Sequence, residues 1–489
     1  MHVMNRKMTT YILGRMLGVE ALVLVIPALV SVIYREEGWK AFLITSAILA
    51  VLYLIFGRKK PEDSQIYGKD GFIIIASAWI LWSVFGALPL WISGSIPSYV
   101  DALFETVSGF TTTGSTILNN IDSMPYGMNF WRCLTHWIGG MGVLVFVMVI
   151  ISLEDKNSMH LMRAEVPGPE TDKLVPKARD TAKILYGMYL ILTVVEVIFL
   201  LFGGMNLYDS LIHAFSTAGT GGFNNHQDSV MYYSQAGYNG AYIEGVLTTF
   251  MILFGINFNM YYLILLKKVK SVFKNEEVRT YLGIIFGATA LITINILKMY
   301  GSVFKAFRYA IFQVASIITT TGFVSFDFDK WPEFSKAILL TLMFIGACAG
   351  STGGGIKVSR MLVLFKSVKY EIKRLIHPKS VNIVKVNGKK VKEETIRGVN
   401  VYMAAYIAIF IGSVLLISLD QFDFATNFSG VLTTMSNVGP GMAMVGPSYT
   451  FSQFSDFSKI VFCLDMLIGR LEIFPFLMLF SPNLWRRKF

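Results

Sequence analysis

Charge is scarce in this chain. Of its 489 residues only 15% are Asp, Glu, Lys or Arg, while 54% are hydrophobic. A soluble protein carries about 25% charged residues, so a soluble globular fold is excluded and a polytopic membrane protein is implied. Cysteine is scarcer still. Cys133, Cys348 and Cys463 all lie in apolar stretches, which excludes a disulfide framework and a cysteine metal site and leaves buried thiols. His2, His136, His160, His213, His226 and His377 lack metal-ligand spacing. For His136 and His213, in or beside apolar helices, hydrogen-bonded packing is preferred to a proton relay. Clustered acids or histidines of the kind a membrane enzyme or an organic-solute carrier needs are also missing, so the chain is read as a non-enzyme. The first apolar stretch is long and has no small-residue cleavage site, and is read as a retained span.

What charge there is falls unevenly. The net charge is +11, and the segments 1–7, 58–70, 153–183, 267–279, 357–398 and 486–489 hold 32 of the 43 Lys and Arg. This is the asymmetry of cytoplasmic loops rather than a nucleic-acid surface. Hydrophobic runs predict ten full spans, near 11–34, 40–57, 71–93, 130–152, 182–204, 243–266, 281–299, 336–365, 400–419 and 459–481. An even number returns both termini to the cytoplasm.

Four shorter apolar segments, about 101–112, 208–219, 305–319 and 424–436, are too short to cross ~30 Å of hydrocarbon. Each runs into a glycine loop: Thr112-Thr113-Gly114, Thr220-Gly221-Gly222, Thr320-Thr321-Gly322 and Asn437-Val438-Gly439. The final glycines are 108, 100 and 117 residues apart. Irregular backbone survives at membrane depth only where it is buried in protein or lines water. The repeat is therefore span, re-entrant half-helix, glycine loop, span, four times over. Four such loops around one axis can present a ring of backbone carbonyls that replaces a cation's hydration shell. Glycine suits this role because it lacks Cβ and tolerates positive φ. Asp101 and Asp209 are expected as N-caps of the first two half-helices; Lys305 near the third implies that this cap is not shared.

The fold class is thus an all-α polytopic membrane protein with four pseudo-repeats around a central pore. The divisions are 1–70 for two extra N-terminal spans, then 71–180, 181–279, 280–398 and 399–489 for the repeats. Two elements suggest gating. The run with Gly350, Gly353, Gly354 and Gly355, ending at Lys357, interrupts the eighth span, where glycines each cost roughly 1 kcal/mol against a helix. It should form an intramembrane loop below the four-loop ring, or else a close-packing glycine patch. It is no nucleotide P-loop, since Ile356 stands in the lysine position and no strand precedes it. Arg470 lies in the last span, where a charge must face the bundle interior or water. It acts either as a barrier to a cation or in an ion pair with a distant acid, Glu105, Glu196 and Glu244 being open candidates; Glu472, two residues on, points elsewhere. Residues 381–391 resemble a hairpin with an Asn387-Gly388 turn, either a solvated basic loop or a docking surface for a soluble partner.

The segments Phe104 to Gly114, Arg132 to Gly142, Gly350 to Lys357 and Gly469-Arg470-Leu471-Glu472 resemble the Trk/Ktr/HKT superfamily of potassium transporters. With the two extra N-terminal spans, the chain is most similar to its bacterial TrkH/TrkG type. The resemblance implies potassium uptake through a pore of potassium-channel ancestry in the bacterial inner membrane. It maps the filter onto Thr112, Thr113 and Gly114, Thr220, Gly221 and Gly222, Thr320, Thr321 and Gly322, and Asn437, Val438 and Gly439, with K+ at their carbonyls. It further implies a homodimer and a cytoplasmic TrkA-like nucleotide-binding ring, with ATP, ADP or NADH on that partner only and no covalent cofactor. Glycine in the first loop goes with potassium preference and serine with sodium permeation; a sodium or mixed-cation transporter of the same architecture is the alternative. No loop has the full Thr-Val-Gly-Tyr-Gly of tetrameric potassium channels, which implies fewer ordered ion sites.

Overall fold

The computed structural model describes residues 4–142, 178–378 and 383–481. The end of the expected fourth span, most of the first long basic loop, Val381 and Asn382 of the hairpin, and the last basic segment lie outside these residues.

Six helices among the described residues are long and apolar enough to cross a bilayer: Arg6–Ile33, Trp39–Gly57, Asp70–Ile92, Asp180–Phe202, Glu276–Tyr300 and Glu393–Asp420. The first two are the extra N-terminal spans, and the other four are the outer helices of the repeats. The second helix of every repeat is short: Tyr126–Gly140, Gly240–Phe254, Glu333–Ile345 and Asp456–Arg470. At 13 to 15 residues each reaches only about 20–23 Å. The sequence predicts a break in the eighth span alone; among the described residues the helix ends early in all four. The second turns by 90° into Phe258–Leu265, and the third stops at Gly346, φ +74°. Past the first helix Gly142 has φ +85°, and past the fourth Glu472 and Ile473 have φ +56° and +67°. Hydropathy is blind to such bends, because the residues on both sides of each remain apolar.

The half-helices are Tyr99–Phe110, Leu207–Gly219, Val303–Ile318 and Phe424–Ser436. All four open with a side-chain cap, but not the expected one. Ser98, Asn206, Ser302 and Asp423 accept from the backbone N–H of Asp101, Asp209, Lys305 and Thr426. Asp101 and Asp209 therefore sit three residues inside the caps, and the third repeat shares the device. A cap oxygen reaches the third N–H of its own helix, so the cap lies three residues before the position chosen from the sequence.

Ion pairs link successive repeats. Arg308 of the third half-helix meets Glu244 of the second repeat at 3.0 Å, and Lys459 of the fourth repeat meets Asp101 of the first at 2.5 Å. Arg360, after the third break, pairs with Glu472 after the fourth. His226 of the second repeat meets Asp122 of the first at 3.0 Å.

Candidate functional site: four loops closed into a ring

Each half-helix ends in one hydrogen-bonding pattern. The N–H of the residue before each key glycine reaches back five residues: Thr113 to Ser108 O at 2.9 Å, Gly221 to Ser216 O at 2.8 Å, Thr321 to Ser316 O at 2.8 Å and Val438 to Thr433 O at 2.9 Å. One residue earlier the backbone is left-handed, at Thr112, Thr220, Thr320 and Asn437, with φ of 54° to 59°. The closing glycines Gly114, Gly222, Gly322 and Gly439 are at positive φ again. A threonine in this region is strained and persists only where its surroundings dictate it. All four of these residues are completely buried. Left-handed backbone two residues apart lets carbonyls that would alternate along a strand line one side of it.

Contacts between the loops close the circle. Gly114 packs against the carbonyl oxygen of Gly221, Gly222 against that of Thr321, Gly322 against that of Val438, and Gly439 against that of Thr113. In every case the residue before one loop's glycine presents its oxygen to the glycine of the previous loop. A Cβ on any of the four would fall closer than 3.0 Å to that oxygen. The glycine requirement thus arises from neighbouring loops as much as from local φ. The Asn437 side chain ties fourth loop to first, donating to Thr113 Oγ1 at 2.9 Å and to Met466 O at 3.0 Å.

Half-helix side chains brace the loops from behind. Glu105 accepts from Ile117 N at 3.0 Å, Gln313 from Ser325 N at 3.5 Å, and Ser429 from Met442 N at 2.9 Å, each three residues past the key glycine. The Glu105 charge is balanced by Arg132 at 2.6 Å, whose guanidinium also covers the Phe223 ring. His136 bonds Gly109 O through Nδ1 at 2.7 Å and stacks on Phe223, and His213 bonds Asp209 O at 2.9 Å. Both histidines are packing elements, as expected. Four half-helix C-termini, each about −0.5 charge, run directly into the loops of the ring, a polarity that favours a cation there.

The glycine run lies directly under this ring. Residues 346–357 form an irregular loop between Glu333–Ile345 and Val358–Ile376. Gly354 N donates to Thr320 Oγ1 at 2.6 Å, and Gly354 packs against Ser436 O. Gly353 lies against Thr319 O, and the Lys357 ammonium bonds Gly353 O. Gly355 packs on Gly346 at the mouth of the loop. Gly350 sits farther from the ring, beside Asn257, and its carbonyl accepts from Phe258 N at 3.0 Å.

Arg470 completes the arrangement. Its guanidinium donates to Thr352 O of the loop at 2.8 Å and to Gly139 O and Gly140 O, at 2.5 and 2.8 Å, at the end of the first repeat's inner helix. One side chain of the fourth repeat therefore ties the first repeat to the intramembrane loop of the third. Of the acids proposed for it, Glu105 and Glu244 hold Arg132 and Arg308; Glu472, set aside from the sequence, holds Arg360. Glu196 lies buried toward Thr217. The role of Gly139 and Gly140 escapes a sequence reading, although their motif is visible there; carbonyl acceptors have no residue-type signature.

The family model for TrkH, described as cation transport protein, matches residues 37–487. The Trk system potassium uptake protein TrkH of Escherichia coli (strain K12) is 35% identical over 489 residues, covering 99% of this chain and 100% of the relative. The Trk system potassium uptake protein TrkG of the same organism is 33% identical over 495 residues, with the same coverage. Among solved structures, the crystal structure of the potassium transporter TrkH from Vibrio parahaemolyticus superposes with a TM-score of 0.87 at 32% identity, over 99% of this chain and 100% of the other.

Proposed function

The chain belongs to the TrkH family of cation transport proteins, and we propose that it carries potassium into the cell through the ring of four loops. The observation that carries this reading is the cyclic closure of the loops, glycine to carbonyl, four times. A dehydrated cation needs oxygens on all sides, and such a ring offers them with no titratable side chain. In a multi-pass protein whose basic segments and both termini face the cytoplasm, the inside-negative potential drives influx, by about 2.3 kcal/mol per charge per 100 mV.

The loop 346–357 and Arg470 are assigned as the gate. A fixed positive charge beneath a carbonyl ring raises the barrier to a cation, and a loop hydrogen-bonded to Thr320 has to move for ions to pass. The basic segments would receive a nucleotide-binding regulatory ring of the TrkA kind, ATP, ADP or NADH acting on that partner, and the working unit would be a homodimer. The test is flux. The purified chain in liposomes should take up rubidium, and Arg470→Ala should raise the unstimulated rate. Absence of rubidium uptake in both, with the protein correctly inserted, rejects the reading; equal competition by sodium redirects it to sodium transport.

A further inference from the structure

A second cavity lies away from the ring, on the basic face. It encloses about 400 Å³ between the bend at Asn257, the start of Glu276–Tyr300, the helix Val358–Ile376 and the hairpin. That volume suits a small organic ligand. Four asparagines line it, and three of them have the amide oxygen committed to backbone. Asn257 Oδ1 accepts from Asn259 N at 2.9 Å, Asn275 Oδ1 from Val278 N at 3.1 Å, and Asn387 Oδ1 from Glu276 N at 2.7 Å. Those caps fix the orientation of each amide, so the three NH2 groups are left as donors. Lys389 and Lys390, both exposed, add two ammonium groups.

The acids nearby are already engaged. Glu277 accepts from Ala349 N at 2.7 Å, and Glu276 is paired with Lys366. The polar wall is thus rich in donors and poor in free acceptors. The opposite wall is apolar, with Met260, Leu263, Leu362 and Val363. The helix Phe258–Leu265 stands at 90° to Gly240–Phe254, a membrane-crossing direction, and so runs along the bilayer plane; Leu265 and Leu266 are exposed on it. The cavity therefore opens at the level of lipid headgroups.

We propose that this cavity binds a phosphate-bearing anion with an apolar body, its phosphate held by the Asn257, Asn275 and Asn387 amides and the Lys389–Lys390 pair. An anionic phospholipid and a soluble phosphate monoester share this chemistry; the apolar wall and the interfacial depth favour the lipid. Binding does not depend on the reading of the ring or of the gate. An occupant would touch Ala349 and Glu277, which hold the start of the intramembrane loop.

The full chain, purified in neutral detergent, is titrated with short-chain phosphatidylglycerol, with phosphatidylcholine and with glycerol phosphate, and bound ligand is read by native mass spectrometry. Phosphatidylglycerol is expected to bind in preference to phosphatidylcholine. Asn275→Asp with Asn387→Asp retains both cap oxygens but replaces donors by charge, and should weaken binding by about tenfold or more. Lys389→Gln with Lys390→Gln, on exposed positions, should weaken it likewise and serves if the Asp pair folds poorly. Competition by glycerol phosphate without lipid retention supports the site and assigns a soluble ligand. Equal retention of both lipids, or undiminished anion binding in the lysine variant, overturns the proposal.

Discussion

Gly114 illustrates how one residue can carry two constraints. Its φ is +82°, and it lies against the Gly221 carbonyl of the next loop. Gly114→Ser would push that oxygen from its place at one quarter of the ring. The potassium-over-sodium preference is expected to fall about tenfold, equivalent to about 1.4 kcal/mol, in rubidium uptake with sodium competition; an unchanged ratio removes Gly114 from the filter. His226 offers a different kind of test. Burial acts to lower its pKa, but the Asp209 carboxylate 4.0 Å from Nε2 and the Asp122 carboxylate bonded to Nδ1 at 3.0 Å outweigh that and raise it. A raised folded-state pKa stabilises fully below the ordinary histidine value of about 6.5 and loses that contribution as pH climbs through the folded value. The melting temperature of the native chain should therefore drop between about pH 6 and pH 8 more than that of His226→Gln. Parallel pH profiles would show that the clamp carries no net stability.

Among the elements, the intramembrane loop is the one most constrained by its neighbours. Gly354 is pressed between Thr320 Oγ1, which accepts its N–H at 2.6 Å, and Ser436 O, which a Cβ would overlap. Gly354→Ala cannot keep both contacts. The expected result is a higher unstimulated rubidium flux with the protein still folded, since Ala347, Cys348 and Ile356, which anchor the loop in the core, are left in place. A flux equal to that of the native chain would separate the loop from gating. The half-helix caps show the same logic without a function: Ser98, Asn206, Ser302 and Asp423 differ in type yet satisfy equivalent N–H groups. What the repeats conserve among themselves is geometry, and several residue types meet it.

Across the whole molecule, four repeats that each fold as helix, half-helix, loop and short helix are useful only when closed. Charged pairs at their seams assist closure. Glu244 is 1% exposed and its partner Arg308 is 22% exposed, on the half-helix of the next repeat. Removing one member of such a pair leaves an uncompensated buried charge, at a cost on the order of 3 kcal/mol. Arg308→Gln should accordingly lower the melting temperature in detergent, and the double change with Glu244→Gln should restore much of it. No recovery in the double variant would mean that Arg308 acts through packing on Tyr309 rather than through the pair.

Composition, the periodic glycines and the short apolar segments determined the membrane class, the four-fold repeat and the identity of the ring residues. These are local properties: hydropathy reports the solvent of a segment, and a glycine after a half-length helix reports a left-handed turn. The Asn387-Gly388 turn was legible for the same reason, both residues adopting positive φ between Lys385–Val386 and Lys389–Lys390. Tertiary structure alone decided which oxygen each glycine faces, that Arg470 rests on carbonyls of Gly139 and Gly140, and which acid holds which arginine. It also decided the fourth bend, where Glu472 and Ile473 take a conformation that glycine would have advertised. Asn437 and Thr113 meet across 324 residues of chain, and a contact of that span arises only from closure of the ring, which leaves no mark on the residues next to either partner.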